Sequence, residues 1–110
     1  MIKAEIRYQD VTAGWLTKDE NGYSFVYDSS YLKLNNPEPV SLTLPLQTEP
    51  YKSKILFPFF DGLIPEGWLL DIAEKNWKLN PRDRMGLLLN CCKDCIGAVS
   101  VIQIKEEGQL

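Results

Sequence analysis

Histidine is absent from this sequence of 110 residues, and glycine is sparse, with seven residues. The absence of imidazole removes the Ser-His triad, the most common general base and any histidine metal ligand. We find no P-loop, no dinucleotide fingerprint, no kinase catalytic loop and no Asp-Phe-Gly motif. We therefore expect no enzymatic activity, and we assign no catalytic residue and no cofactor.

Long apolar runs and a strong positive charge are also absent. No apolar run approaches the about 20 residues that span a bilayer, and the N-terminus alternates charged with apolar residues, unlike a signal peptide. The net charge is −3 and the 12 Lys and Arg residues are scattered, which gives no basis for following a phosphate backbone. We expect a cytoplasmic protein that binds neither membrane nor, directly, nucleic acid.

Cysteine occurs three times, at Cys91, Cys92 and Cys95. An odd number crowded together is not a disulfide framework, so reduced thiols are expected. Thiols at this spacing can reach one zinc ion, but a closed site needs a fourth ligand, and no second Cys or His cluster exists. Burial of Cys92 on a helix is the better interpretation, and we assign no metal site; a redox role for Cys95 stays open.

The composition is that of a folded protein, with 45% hydrophobic and 25% charged residues. A chain of this length can bury a core without metal or disulfides. We expect a single domain over residues 1–104, followed by a polar tail over residues 105–110.

Strand patterns dominate the first part of the sequence. Ile2 to Tyr8 alternates apolar and charged side chains, and Asn21-Gly22 between Trp15–Thr17 and Tyr23–Tyr27 predicts a β-hairpin with positive φ angles at its turn. Val40 to Leu44 also alternates and predicts a strand. Residues from Thr48 to Pro65 are too irregular for a helix or strand, so we expect an ordered loop.

Helix signals follow. Asp28 or one of the two serines after it can cap a short helical turn through Tyr31. Glu66 to Lys78 has apolar residues at helical spacing. A second helix is predicted from an Asn80 cap and Pro81 at its first position, with a buried stripe at Met85, Leu88, Leu89 and Cys92. Gly97 to Ile104 predicts a last, largely buried strand. The order favours an α+β fold, a small antiparallel β-sheet covered on one face by two short helices.

Two motifs carry a family resemblance. Leu56-Phe-Pro-Phe-Phe-Asp-Gly-Leu-Ile-Pro-Glu-Gly-Trp68, together with Asp94-Cys-Ile-Gly-Ala-Val99, resembles the N-terminal subdomain of HipA-type serine/threonine kinases. Gly14-Trp-Leu16, Pro39-Val-Ser-Leu-Thr-Leu-Pro45 and Leu79-Asn-Pro81 support it, so the resemblance covers nearly the whole chain. A kinase core follows this subdomain in HipA kinases, whereas this sequence stops after the last predicted strand. It therefore resembles the HipS-type antitoxins of tripartite HipBST toxin–antitoxin systems.

The resemblance implies a partner rather than a substrate. The expected partner is a HipA/HipT-type kinase, with an indirect link to a HipB-type helix-turn-helix DNA-binding protein. Trp68 lies at the margin of the predicted apolar arc of Glu66–Lys78, so it is either an interface anchor or a core residue. The residues expected to contact the partner are Phe60, Asp61, Leu63, Ile64, Pro65, Glu66 and Trp68.

Three hypotheses of different classes follow from the sequence. The first is an inhibitory module that docks on the kinase through residues 60–68. The second is a stabilising or activating non-catalytic subunit of that kinase. The third is a thiol or metal protein centred on Cys91 to Cys95.

Overall fold

Antiparallel strands form one sheet in the computed structural model, which describes residues 1–64, 83–91 and 98–104. Their bounds are β1 Ile2–Tyr8, β2 Val11–Asp19, β3 Gly22–Tyr27, β4 Tyr51–Ser53 and β5 Val99–Ile104. The spatial order is β4-β3-β2-β1-β5, so the last strand lies beside the first. The α+β class and the antiparallel sheet predicted from the sequence are confirmed.

Two tight turns connect the first three strands. The predicted hairpin is confirmed, with Asp19 paired to Gly22, but Gly22 alone adopts a positive φ there, at 131°, and Asn21 does not. A Cβ at Gly22 would lie 2.5 Å from the carbonyl oxygen of Ser53, so a side chain is excluded. The turn between β1 and β2 has positive φ at both Gln9 and Asp10, as a type I′ turn requires.

The core lies on one face of this sheet. Paired residues of neighbouring strands project to the same face, so Ala4, Leu16 and Phe25 form one row across β1, β2 and β3. Gly14 leaves space for the Phe25 ring of that row, because a Cβ at position 14 would lie 2.9 Å from the ring. Among the described residues, the largest completely buried side chains are Ile6, Leu16, Phe25, Phe60, Met85, Leu87, Leu88 and Val101.

The opposite face of the sheet carries a polar network. Glu5, although buried, accepts hydrogen bonds from Arg7 Nε at 3.0 Å and from the Thr12 hydroxyl. These bonds, that from Arg7 first, lower the pKa of the Glu5 carboxyl below its ordinary value. Trp15 lies on this face, where the Lys3 ammonium is 4.8 Å from its ring centroid.

Short helices accompany the sheet at α1 Ser29–Leu32, α2 Pro58–Asp61 and α3 Arg84–Cys91. Of the caps predicted for α1, Asp28 is the one found, since its side chain accepts a hydrogen bond from the Ser30 backbone. The last helix begins at Arg84, and Asp83 before it is not helical, so the helix does not run on from Pro81 as predicted. The Asp83 carboxylate accepts the backbone N–H of Gly86 at 3.1 Å, while Asn80 and Pro81 lie outside the described residues. Its buried stripe at Met85, Leu88 and Leu89 is confirmed.

The strand predicted over Val40–Leu44 is wrong. These residues form a turn in which Leu44 N donates to Ser41 O at 3.1 Å, and the alternation arises because Val40 and Leu44 are buried while Leu42 is 94% exposed. The expected irregular loop between Thr48 and Pro65 contains β4 and α2.

Several predicted features lie outside the described residues. They are the helix over Glu66–Lys78, the positions of Cys92 and Cys95, and the tail over residues 105–110. None of the helices in the described part of the chain is long and apolar enough to cross a membrane.

Candidate partner-docking segment

We define the docking segment as residues 60–68, which the sequence motif selects. Its first part, Phe60 to Ile64, continues from α2 and is described; Pro65, Glu66 and Trp68 lie outside the described residues. The described part shows how the segment is attached to the sheet and which side chains it leaves accessible.

Backbone hydrogen bonds wind the segment tightly from its start. Pro58 is the first residue of α2, where the backbone N–H that proline lacks would have no partner within the helix. Gly62 N then donates to Pro58 O at 2.9 Å, Leu63 N to Phe60 O at 3.0 Å, and Ile64 N to Asp61 O at 3.2 Å. The backbone therefore continues from α2 through hydrogen-bonded turns as far as Ile64.

Phe60 and Ile64 face inward. Phe60 is completely buried, with its ring centroid 5.5 Å from that of Phe25 and 5.1 Å from that of Phe59, while Ile64 is 5% exposed. Aromatic rings at these centroid distances stabilise the fold beyond the contribution of burying their apolar surface. These two predicted site residues therefore fasten the segment to the sheet and offer little surface for a partner.

Asp61 and Leu63 lie nearer the surface. The Asp61 side chain is 41% exposed, and its Oδ1 accepts a hydrogen bond from Arg84 Nε at 2.6 Å. Leu63 is half-buried and packs against the edge of the core. In the described part of the segment, these two side chains are the ones accessible at the surface.

Arg84 is a residue of this region that the sequence analysis did not select. It opens α3, far along the chain from Asp61, and only the fold brings α2 and α3 together. A basic residue after an N-terminal helix signal is too common to identify an ion pair. The pairing could not have been read from local sequence.

Metal chemistry gains no support from the described residues, which contain no group of three or more Cys, Asp or Glu placed to hold an ion. The side-chain nitrogen and oxygen atoms that are buried in this part of the chain all have hydrogen-bond partners. No uncompensated polar atom there points to a missing ligand.

Comparison with known proteins places this fold. An antiparallel α+β domain with this strand order matches a solved structure, the N-terminal domain of HipA toxin, with a TM-score of 0.78. The two are 28% identical, and the match covers 97% of this chain and 96% of that one. The class defined by the fold is thus that of HipA-like N-terminal domains.

The chain belongs to the HipA N-terminal domain family, whose model matches residues 4–102. An uncharacterized protein of Haemophilus influenzae is 36% identical over 96 residues, which are 87% of this chain and 84% of that protein. A putative kinase of Sinorhizobium fredii, Y4mE, is 30% identical over 95 residues, 86% of this chain but 23% of that protein. The chain thus resembles one relative close to its own length and one several times longer.

Proposed function

We propose that this chain is an antitoxin-like, non-catalytic protein that docks on a HipA-type serine/threonine kinase in the cytoplasm and inhibits it. Membership of the HipA N-terminal domain family carries the proposal, because it links this domain to HipA-type proteins. The Haemophilus relative, of which this chain covers 84%, supports a form of the domain that is not fused to a kinase core.

The docking segment supports the proposal through its attachment. Buried Phe60 and Ile64 fix the described part, and the Asp61–Arg84 ion pair connects it to α3. A segment that is ordered before binding loses less conformational entropy when it binds. The proposed contacts are Asp61, Leu63, Pro65, Glu66 and Trp68. Phe60 and Ile64, which are buried, hold the described part of the segment in place.

Inhibition is proposed to act on the moving parts of the kinase. Kinases close over nucleotide, and a protein wedged against the N-lobe can prevent that closure. A HipB-type DNA-binding protein would be reached only through the kinase.

A second function, a stabilising or activating subunit, is favoured by a different observation. In the putative kinase Y4mE the matching region is part of the same polypeptide. Co-expression with the HipA-type kinase of the same genome separates the two functions. Growth rescued by this chain supports inhibition, whereas toxicity that appears only in its presence overturns inhibition and supports the subunit.

Trp68→Ala tests the docking segment. We expect the variant to weaken kinase binding by about 2 kcal/mol or more, as at interface hot spots, and to change the stability of the free domain much less. A core tryptophan truncated to alanine would instead cost roughly 3–5 kcal/mol of folding free energy. Titration calorimetry with the kinase and urea melts of the free domain measure the two quantities.

Trp77→Ala is the matched control, because Trp77 lies nearer the centre of the predicted apolar arc and should lose more stability. Unchanged kinase affinity in a folded Trp68→Ala protein would remove Trp68 from the interface.

A further inference from the structure

The turn Ser41–Leu44 projects a leucine into solvent. It lies in the connector over residues 33–50 between α1 and β4, and Leu42 at its first central position is 94% exposed. Ser41 orders the turn: its carbonyl accepts Leu44 N at 3.1 Å and its hydroxyl oxygen accepts Thr43 N at 3.2 Å. The turn is therefore closed by its own hydrogen bonds.

Tyr27 connects this turn to the sheet through Val40, which precedes the turn, and Leu44, its last residue. Its hydroxyl oxygen accepts Val40 N at 3.0 Å, and its O–H donates to Leu44 O. Tyr27, Val40 and Leu44 are all buried, at 3%, 5% and 3% exposure. The ends of the turn are fixed in the core while its tip is left in water.

Neighbouring tyrosines hold the rest of the connector. Tyr31 donates its O–H to Glu38 O at 2.5 Å, and Tyr51 donates to Pro45 O at 2.7 Å. The Tyr27 and Tyr31 rings stack at 6.2 Å. The connector is thus anchored on both sides of Leu42.

Isolated exposed leucines are ordinary on protein surfaces and need no explanation. Leu42 differs because hydrogen bonds order the turn that carries it, so that its apolar side chain is held in a fixed outward position. A preformed projection of this kind binds an apolar pocket at a low entropic cost.

We propose that Leu42 is a second contact with the HipA-type kinase, inserted into an apolar pocket of that protein. The inference rests on the proposed function. The kinase is the occupant that the comparisons favour, because this domain makes up 23% of the putative kinase Y4mE and there adjoins the remaining length of the same chain. A domain linked to a kinase in one chain has surface available for contact with it, and the proposal assigns the Ser41–Leu44 turn to that surface.

Leu42→Ser tests the contact against Ile55→Ser. Ile55 is 69% exposed and follows β4, whose Ser53 pairs with Tyr23, at the opposite end of β3 from Tyr27. We expect the dissociation constant for the kinase, measured by titration calorimetry, to rise about tenfold or more for Leu42→Ser and to stay unchanged for Ile55→Ser. Leu42→Met should retain binding, and the urea midpoints of the free variants should equal that of the wild type.

Wild type and Trp68→Ala, measured in parallel, separate the two proposals. Absent binding of the wild type overturns the proposed function and this contact together. Wild-type binding with unchanged affinity for Leu42→Ser overturns this contact alone. A free domain that is dimeric and becomes monomeric with Leu42→Ser assigns the turn to a second copy and overturns the kinase as occupant. Additive losses in the Leu42→Ser, Trp68→Ala double variant support two separate contacts.

Discussion

The hydroxyl group of Tyr27 is buried and forms hydrogen bonds with the connector between α1 and β4. Burial raises the pKa of the Tyr27 phenol to about 12, because the charged phenolate is disfavoured away from water. The same hydroxyl joins Val40 to Leu44. Tyr27 was assigned to a strand from its sequence pattern, but the partners of its hydroxyl could not be predicted, since they depend on where the connector returns to the sheet.

Tyr27→Phe should lower the free energy of unfolding at neutral pH by about 1–3 kcal/mol. The ring remains, but the buried N–H of Val40 loses its acceptor, and an unpaired buried group carries its desolvation cost. Urea melts measure the change. Tyr51→Phe is the control: it removes an exposed hydrogen bond to Pro45 O, so we expect a change within about 0.5 kcal/mol.

The pH dependence of Tyr27→Phe has a defined sign. A phenol whose pKa is higher in the folded than in the unfolded state favours folding below the unfolded value, near 10, and this contribution is lost as the pH rises toward 12. The wild type should therefore lose more stability than Tyr27→Phe between pH 10 and 12. Parallel alkaline losses in the two proteins would contradict the assignment.

At the scale of elements, α2 is held by contacts of very different energy. Phe60 lies among Phe25, Phe57 and Phe59 in the core, whereas the Asp61–Arg84 ion pair is at the surface, with side chains 41% and 32% exposed. Solvent screening limits such an ion pair to at most about 1 kcal/mol. Apolar burial therefore stabilises the element, and the ion pair orients it.

Arg84→Gln and Phe60→Ala separate these two contributions. Arg84→Gln should reduce the free energy of unfolding by less than about 1 kcal/mol, with a smaller effect in high salt, whereas Phe60→Ala should cost roughly 3–5 kcal/mol. Urea melts in low and high salt measure both. A loss of several kcal/mol for Arg84→Gln would show that the ion pair is a main support of α2.

The elements that the sequence predicts are those with local determinants. The Asn21-Gly22 hairpin and the Asp28 cap depend on neighbouring residues, and both were found. Val40–Leu44 was mistaken for a strand because a turn with two buried ends also produces apolar residues at alternate positions. The contact between α2 and α3 joins distant parts of the chain, so no local pattern contained the Asp61–Arg84 pair.

The whole molecule depends on pairing between its ends. β5 lies beside β1, with Lys3 opposite Ile104 and Tyr8 opposite Val99. Val101 pairs with Ile6, and both side chains are completely buried in the core. The strand patterns of β1 and β5 were recognisable in the sequence, but their adjacency was not, because a half-buried strand can pair with many partners. The addition of β5 to the sheet thus rests on apolar contacts and backbone hydrogen bonds between segments distant in sequence.

This construction predicts folding that is independent of metal. The core side chains come from strands, helices and the connecting turns, and they pack without any metal-binding cluster in the described part of the chain. A structural zinc site contributes folding free energy outright and needs four ligands, more than the thiols of Cys91, Cys92 and Cys95 supply. EDTA should therefore leave the melting temperature of the purified protein unchanged, as followed by circular dichroism. A large fall in melting temperature that added zinc reverses would contradict this and assign these thiols to a structural metal site.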